Sequence, residues 1–367
     1  MRRAAALIAG GGPAGSAAAL LLARGGARPV LIERSREPHD MVCGGFLAAG
    51  ALDMLARLGV EVASLGAQPI GRVRLIAGKR VAEADLPFPA AGLSRRTLDA
   101  ALLDAAIRHG ATIERGVAVR RVDPDRLCLH LGDGGMIASD ALFLASGKHD
   151  LRGAARAVGA QPDPAIGLRA RLDPSPGLAA AIDDHIELHL FRRGYAGLLR
   201  LEEGGVNLCL SVAQSLLRRA GGDPAVLIAE LSRENPLFGE RIAAARATGD
   251  WLSIARIPYG WRARRTRPGL FRLGDQAAVI ASLAGDGIAI ALSSAVRAAE
   301  SFLRGGSEGA LAFQTDFARH VERPVVCASV LKSIGERPWI AGPLAGLLVQ
   351  MPDLLRRMAR MTRIKAG

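Results

Sequence analysis

The N-terminal segment places a glycine-rich turn between two apolar runs, and this turn restricts the possible folds more than any other feature. The run AALIAG predicts a short buried strand, and Gly10-x-Gly12-x-x-Gly15 predicts a tight turn after it. A helix is predicted over residues 16–24, and RPVLIER predicts a second strand that ends near Glu33. Strand, turn, helix, strand and acid together predict a βαβ unit that binds a dinucleotide.

Each residue of this unit has a physical role in such a site. Gly10 permits the tight turn, Gly12 lets the backbone approach a pyrophosphate, and Gly15 lets helix and strand pack closely. The start of the helix offers free N–H groups to phosphates, and Glu33 can accept hydrogen bonds from ribose hydroxyls.

The same segment has a second interpretation, because Arg2 and Arg3 precede the apolar run as they would in a secretion signal. A signal sequence has little use for a glycine cluster followed by a second, different apolar run. The βαβ unit accounts for more of the residues and is the interpretation we adopt.

The amino-acid composition limits the kinds of function that the chain can have. The 367 residues include 50% hydrophobic and 23% charged side chains, which predicts a globular chain of one large or two modest domains. The net charge of +13 favours anionic partners, although arginines on solvated faces explain it equally well. Only 4% of residues are aromatic, which argues against a nucleic-acid partner. The four cysteines form no CxxC pair, so we expect no metal site and reduced thiols in a cytoplasmic protein.

The pattern changes along the chain. From about residue 152 to 261, apolar and polar residues alternate between glycine turns, which predicts antiparallel strands. A strand, a glycine-rich turn and a long helix then return at GLFRLGDQAAVIASLAGDGIAIALSSA, and the remainder is predicted to be helical. The predicted domains are a discontinuous cofactor domain (1–65, 95–155 and 265–305), a substrate domain (66–94 and 156–264) and a C-terminal helical segment (306–367).

Three separated motifs resemble one family. They are the glycine turn with Glu33, Arg95 placed before Leu98 and Asp99 at a helix start, and LGDQAAVIASLAGDGIAIALSSA. Together they resemble the FAD-dependent oxidoreductases of the p-hydroxybenzoate hydroxylase fold, which include aromatic hydroxylases, geranylgeranyl reductases and flavin halogenases. The resemblance implies an α/β chain with a Rossmann-like FAD-binding domain, a mixed or antiparallel-sheet substrate domain and a helical C-terminus.

The resemblance also implies the cofactors, FAD and a transient NAD(P)H reductant. Asp275 would bond the ribityl or phosphate region, and Gly287 and Ile288 would begin a helix whose N–H groups face the flavin. Asp286 would either cap that helix or transfer protons. The complete set of implied FAD contacts is Gly10, Gly12, Pro13, Ala14, Gly15, Glu33, Arg34, Arg95, Val119, Gly147, Gly274, Asp275, Gly287 and Ile288.

Other motifs resemble more than one branch of this family. Cys43 in VCGGF resembles the Cys-Gly-Gly stretch of geranylgeranyl reductases, where the cysteine lies near the flavin; a buried structural cysteine is the alternative. Tyr195 and Tyr259 are the only tyrosines, and each is a candidate for substrate binding, proton transfer or simple packing. The candidate catalytic residues are Cys43, Tyr195 and Asp286. LASGKHDLRG resembles the corresponding segment of flavin halogenases, but their Trp-x-Trp-x-Ile-Pro motif is absent, which argues against halogenation.

We therefore expect an FAD-dependent oxidoreductase. The favoured activity is that of an NAD(P)H-driven monooxygenase that acts on an apolar or aromatic biosynthetic substrate. Reduction of carbon–carbon double bonds is the alternative, and a non-catalytic flavin-binding redox protein is the second alternative. The basic segment MPDLLRRMARMTRIKAG predicts an amphipathic helix, which would either contact a membrane surface or pack on the protein's own core.

Overall fold

A computed structural model describes residues 2–364 and shows a mixed α/β fold with two sheets. Its strands are β1 (Arg2–Ala9), β2 (Pro29–Glu33), β3 (Phe46–Ala48), β4 (Gln68–Ala77), β5 (Arg80–Gly92), β6 (Thr112–Arg115), β7 (Val119–Asp123), β8 (Cys128–Leu131), β9 (Met136–Leu144), β10 (Ala165–Pro174), β11 (His185–Phe191), β12 (Gly194–Arg200), β13 (Val206–Ala213), β14 (Ala245–Ile257) and β15 (Leu270–Arg272).

Helices connect and cover these strands. They are α1 (Pro13–Arg24), α2 (Ala49–Arg57), α3 (Arg95–Arg108), α4 (Pro176–Ala181), α5 (Gln214–Arg219), α6 (Pro224–Glu234), α7 (Pro236–Ala243), α8 (Gly287–Gly305), α9 (Gly309–His320), α10 (Glu322–Gly335), α11 (Pro338–Gln350) and α12 (Pro352–Met361).

The first sheet contains the predicted βαβ unit. Its strand order is β6-β2-β1-β9-β8-β7, with β15 also paired to β9. Strand β1 runs parallel to β2 and β9, and α1 crosses between β1 and β2 against α3 and α8. Helix α1 begins at Pro13, three residues earlier than predicted, because proline at the first helical position loses no hydrogen bond. The apolar N-terminal run therefore forms a central strand of the first sheet and the first helix of the chain.

The second sheet is mixed, as predicted for the middle of the chain. Its order is β14-β10-β13-β12-β11-β4-β5-β3, antiparallel except where β11 runs parallel to β4. The short strand β3 pairs with β5 in this sheet, although the sequence assigned residues 1–65 to the cofactor domain. The chain thus crosses from the first sheet to the second between β2 and β3, through the loop that carries the Cys-Gly-Gly stretch.

The C-terminal helices cover one face of the second sheet. Helices α11 and α12 pack on β5, and α11 also contacts β4. Leu355 of α12 is buried there beside Leu354 and Met358, so the apolar side of this basic helix packs on the protein's own core. Among the described residues, no helix has the length and apolarity required to cross a bilayer.

Candidate cofactor and substrate site

One cavity of about 840 Å³ extends from the carboxyl ends of β1 and β2 to the face of the second sheet beneath α10, α11 and α12. All but one of the residues expected to bind FAD line this cavity. The exception is Gly15, which lies inside the contact between helix and strand. Motifs far apart in sequence therefore converge on a single site.

The glycine turn leaves room for a ligand at only one of its glycines. A Cβ on Gly15 would lie 1.9 Å from the Gly10 carbonyl oxygen, and one on Gly10 would lie 2.5 Å from that of Ala145. Those two glycines are required by backbone packing. A Cβ on Gly12 would meet only the Arg95 guanidinium, at 3.1 Å, and no side chain caps α1. The open space and free N–H groups at Gly12 suit a diphosphate.

Glu33 is held at the end of β2 by two backbone donors. Gly11 N donates to Oε2 at 2.7 Å, and Ser35 N donates to Oε1 at 2.8 Å. Each carboxylate oxygen keeps a free lone pair, so the group can still accept hydrogen bonds from ribose hydroxyls.

Arg95 is fixed beside the glycine turn by a partner that sequence reasoning did not assign. Its Nε and Nη2 donate to the two Asp99 oxygens at 2.8 and 2.7 Å. Burial raises the pKa of Asp99 in spite of Arg95. Burial alone would lower the pKa of Arg95, but the Asp99 carboxylate raises it overall, so the guanidinium remains a cation. This bidentate pair orients a positive charge toward the space where a diphosphate would lie.

The start of α8 forms the other end of the cofactor region. Gly287 and Ile288 line the cavity, and no side chain caps this helix, so its first N–H groups are free. A helix N-terminus stabilises the negative charge that a reduced flavin carries.

The capping role expected of Asp286 is wrong. Its side chain is fully buried and makes no cap hydrogen bond, and it does not line the cavity. Instead, Oδ1 accepts from Arg363 Nη1 at 2.8 Å and Oδ2 accepts from Ile364 N at 2.7 Å. The C-terminal segment holds the carboxylate outside the cavity lining, so Asp286 makes no direct contact with the cavity.

Two residues of the LASGKHDLRG segment, Lys148 and His149, approach the cofactor region. Lys148 Nζ lies 3.2 Å from Asp275 Oδ2, and both side chains line the cavity. Burial alone would lower the pKa of Lys148, but Asp275 raises it overall, which keeps the amine charged. His149 contacts Arg34 Nη2 at 3.3 Å, and burial together with the neighbouring cations lowers its pKa. For His149 the sequence signal is its place in this segment, which differs from the hydroxylase pattern, whereas nothing in the sequence singled out Lys148.

The Cys-Gly-Gly loop forms part of the cavity wall and is tied to the second sheet. Asn207 Nδ2 donates to the carbonyl oxygens of Cys43 at 3.0 Å and Gly44 at 2.8 Å. The buried Arg169 in turn donates to Asn207 Oδ1 at 2.8 Å and pairs with Asp40 at 2.7 Å. The sequence did not single out these polar residues, yet they fix the loop that carries Cys43.

Beyond the cofactor region, the cavity widens into an apolar chamber. Its lining side chains come from the second sheet and from the C-terminal helices, and they include Val73, Leu75, Leu86, Phe88, Ile186, Leu188, Leu190, Leu199, Ile254, Leu331, Leu344, Leu355 and Met358.

A few hydroxyl groups interrupt the apolar chamber. Tyr259 Oη lies 3.1 Å from Ser211 Oγ and also contacts Ser282 Oγ, and Tyr195 lies in the same wall. Burial raises the pKa of both tyrosines, so each phenol is a neutral hydrogen-bond donor at neutral pH. Burial also raises the pKa of Cys209 to about 12, which keeps that thiol protonated. A substrate with an apolar body and one polar group matches this lining.

The residues present therefore fit FAD. Three cations, Arg34, Arg95 and Lys148, line the part of the cavity nearest the glycine turn, where an anionic diphosphate needs them. Two uncapped helix N-termini, those of α1 and α8, open into the same cavity.

Comparisons with known proteins agree with this geometry. Residues 3–127 match the model of the FAD binding domain family. No curated protein matches the chain. A structure of the flavin-dependent brominase Bmp2 is similar at 19% identity with a TM-score of 0.78, covering 98% of this chain and 93% of that one.

Two further solved structures have different activities in their names. A geranylgeranyl bacteriochlorophyll reductase-like protein from Thermoplasma acidophilum is 18% identical, with a TM-score of 0.78 and coverage of 100% of this chain and 94% of that chain. PqsL from Pseudomonas aeruginosa, a probable FAD-dependent monooxygenase, is 17% identical, with a TM-score of 0.73 and coverage of 93% and 99%. At these identities the structures show the shared fold, and they leave the reaction open.

Proposed function

The chain carries an FAD-binding domain and has the fold of FAD-dependent oxidoreductases, and from this premise we propose that it is a monooxygenase of an apolar or aromatic substrate. The observation that carries the proposal is the apolar chamber, which continues directly from the cofactor region of the cavity. NAD(P)H is the proposed electron donor.

In this proposal, different residues of the site hold different parts of FAD. Gly12, the start of α1 and Arg95 would hold the diphosphate, and Glu33 would hold the ribose. The start of α8 would face the flavin. Bound FAD would supply electron transfer from NAD(P)H and activation of dioxygen.

The chamber contributes by excluding water and orienting the substrate. Its aliphatic lining offers water few hydrogen bonds, which protects reactive species from hydrolysis. The neutral phenol of Tyr259, already bonded to Ser211 and Ser282, can donate a hydrogen bond to a substrate oxygen. These residues would bind and position the substrate.

The test is substrate oxygenation by the purified FAD-loaded protein. NADH or NADPH is supplied with isotopically labelled dioxygen and a panel of aromatic, quinone and polyprenyl compounds. We expect one labelled oxygen atom in the product and reduced yield in Tyr259→Phe with unchanged FAD content. A product that forms without dioxygen, or that contains no label, would contradict the proposal.

Reduction of a carbon–carbon double bond is the second candidate. It is supported by the position of Cys43 in the cavity wall and by the similarity to a reductase-like structure. The discriminating experiment mixes reduced protein with a polyprenyl alkene in the absence of dioxygen and looks for the saturated product. A protein that binds FAD and performs neither reaction supports the third possibility, a flavin-binding redox protein without catalysis.

A further inference from the structure

Helix α11 is the most apolar exposed element of the described chain. No charged residue occurs from Pro338 to Pro352, in the sequence PWIAGPLAGLLVQMP. A helix that is apolar on every side is normally buried or placed in a membrane. Here, only the inner side, with Ala341, Ala345 and Leu348, packs against the second sheet.

The outer side of this helix faces solvent with large apolar side chains. Trp339 is 74% exposed, Leu347 is 46% exposed and Val349 is 53% exposed. Trp339, Pro343 and Leu347 are spaced four residues apart, so they form one row along the helix. We call this row, together with Val349 and the exposed Met351, the α11 face.

Such exposure is concentrated in this part of the molecule. Half of the large apolar side chains that are exposed among residues 2–364 belong to the segment 326–361. They are Val326, Val330, Trp339, Leu347, Val349, Met351 and Met361. Exposed apolar side chains gathered on neighbouring helices, here α10, α11 and α12, are typical of an interaction site.

Exposed arginines occur on both sides of α11 in the sequence. Arg337 directly precedes the helix, and Arg357 and Arg360 are exposed on α12. Within the described chain, no acidic side chain forms an ion pair with these three arginines, whereas the nearby Asp353 and Glu336 are already paired with other residues. Arg80 adds a further charge, since its guanidinium lies 3.0 Å from the position of a Cβ on Gly342.

We propose that the α11 face docks on the surface of an anionic phospholipid bilayer. Trp and Leu side chains would enter the region between headgroups and acyl chains, and the unpaired arginines would contact lipid phosphates. A second copy of the chain fits less well, because a two-fold contact through this face would place one set of unpaired arginines against the other. The sequence pointed instead to α12, whose apolar side the fold uses internally.

Docking in this orientation brings the bilayer next to the chamber. Ala341 and Leu344 of the same helix line the cavity, so a single helix separates the chamber from the α11 face. An apolar substrate dissolved in the membrane would then have a short path inward. This consequence rests on the proposed function, whereas the docking itself does not.

Vesicle binding tests the docking without any measurement of turnover. The full-length FAD-loaded protein is sedimented with vesicles of phosphatidylcholine containing about 30 mol% phosphatidylglycerol. We expect binding that weakens with salt and with pure phosphatidylcholine vesicles. Trp339→Ser/Leu347→Ser should lower the partition coefficient about tenfold or more, because two buried apolar side chains are lost. Arg357→Glu/Arg360→Glu should do the same on anionic vesicles.

The matched control is Ile107→Ser/Val226→Ser, which removes two exposed apolar side chains from α3 and α6. It should bind vesicles as the unaltered protein does, and every variant should retain its FAD. Absence of vesicle binding, or equal loss in the control, would overturn the proposal. So would a dimer in sedimentation velocity that dissociates with Trp339→Ser/Leu347→Ser while vesicle binding stays absent. Failure of the oxygenation test leaves this result unaffected.

Discussion

Arg363 Nη1 lies 2.8 Å from Asp286 Oδ1, which joins the end of the described chain to the residue that precedes α8. Ile364 N donates to the other carboxylate oxygen, and the Arg363 guanidinium also stacks 5.0 Å from the centre of the Phe88 ring. The C-terminal segment therefore fixes both the start of α8 and one wall of the chamber. An ion pair far from the glycine turn thus shapes the same cavity.

This buried pair predicts a pH dependence of stability. Burial raises the pKa of Asp286 to about 6 from a usual 3.8, despite the attraction of Arg363. Because the folded-state pKa is raised, the stabilisation is fully present below the unfolded-state pKa and is lost as pH rises through about 6. Asn is neutral throughout, so the unaltered protein should lose about 2 kcal/mol relative to Asp286→Asn between pH 4 and pH 6.

Urea unfolding of both proteins from pH 4 to pH 7 measures this difference. Asp353→Asn, an exposed carboxylate on α12, serves as the control and should show little change. A difference between the two proteins that stays constant over this range would show that Asp286 titrates at an ordinary pKa.

Substitutions at Gly12 and Gly15 of the glycine turn should impair two different properties, FAD binding and stability. Gly12→Val places its side chain in the open space near Arg95, so the protein should fold but bind FAD about a hundredfold more weakly or not at all. Gly15→Val collides with the Gly10 carbonyl oxygen and should destabilise the fold by about 3 kcal/mol or more. FAD absorbance after purification and thermal unfolding separate the two effects. A yellow, fully loaded Gly12→Val protein would refute the cofactor assignment.

Glu33→Gln should weaken FAD binding about tenfold. The carboxylate accepts hydrogen bonds from Gly11 N and Ser35 N, and an amide would point its NH2 group at one of these donors. Titration of the apoprotein with FAD measures the affinity, with Glu61→Gln, at an exposed site outside the cavity lining, as the control. Equal affinities for both variants would mean that Glu33 does not contact the ribose.

Glu187 should contribute to the free energy of unfolding in a way that depends on pH in the acidic range. Its side chain is fully buried, and although burial favours its neutral form, hydrogen bonds from His189, Arg241 and Arg74 lower its pKa to about 2. With a depressed folded-state pKa, the stabilisation is complete above the usual pKa of 4.5 and disappears as pH falls toward 2.

Glu187→Gln should therefore cost about 3 kcal/mol or more at pH 7, because it also leaves arginines without a charged partner. The cost should shrink as the pH approaches 3. Asp173→Asn, which breaks an exposed pair with Arg246, should cost less than about 1 kcal/mol. Denaturant unfolding at both pH values checks the prediction, and equal costs for the two variants would argue against it.

Gly197→Leu should close the apolar chamber. A Cβ at this position in β12 meets no atom closer than 3.8 Å and borders the cavity, so the added side chain can extend into it. We expect unchanged FAD content and loss of binding for a fluorescent apolar compound, measured by titration. Gly177→Leu, at an exposed site in α4 with open space around it, is the control. Undiminished binding in Gly197→Leu would place the ligand elsewhere.

Local patterns in the sequence determined the elements that bind the cofactor. Spacing of glycines and apolar residues predicted β1, α1 and β2, because the turn chemistry and the periodicity are local properties. Resemblance then connected Gly274, Asp275, Gly287 and Ile288 to the same site, and all four line one cavity with Gly12.

Only the tertiary structure decided which partners the charged side chains take. Asp286 looked like a helix cap, but a segment 77 residues away reaches it first. Lys148 and Asp275 are separated by most of the substrate sheet and still meet in the cavity. Likewise, the sequence placed α12 either on a membrane surface or on the protein's own core, and the structure has its apolar side against β5, whereas α11 is exposed. The local sequence pattern determines the secondary structure at a residue. Long-range packing determines which side chains surround that residue, and therefore its charge, solvation and function.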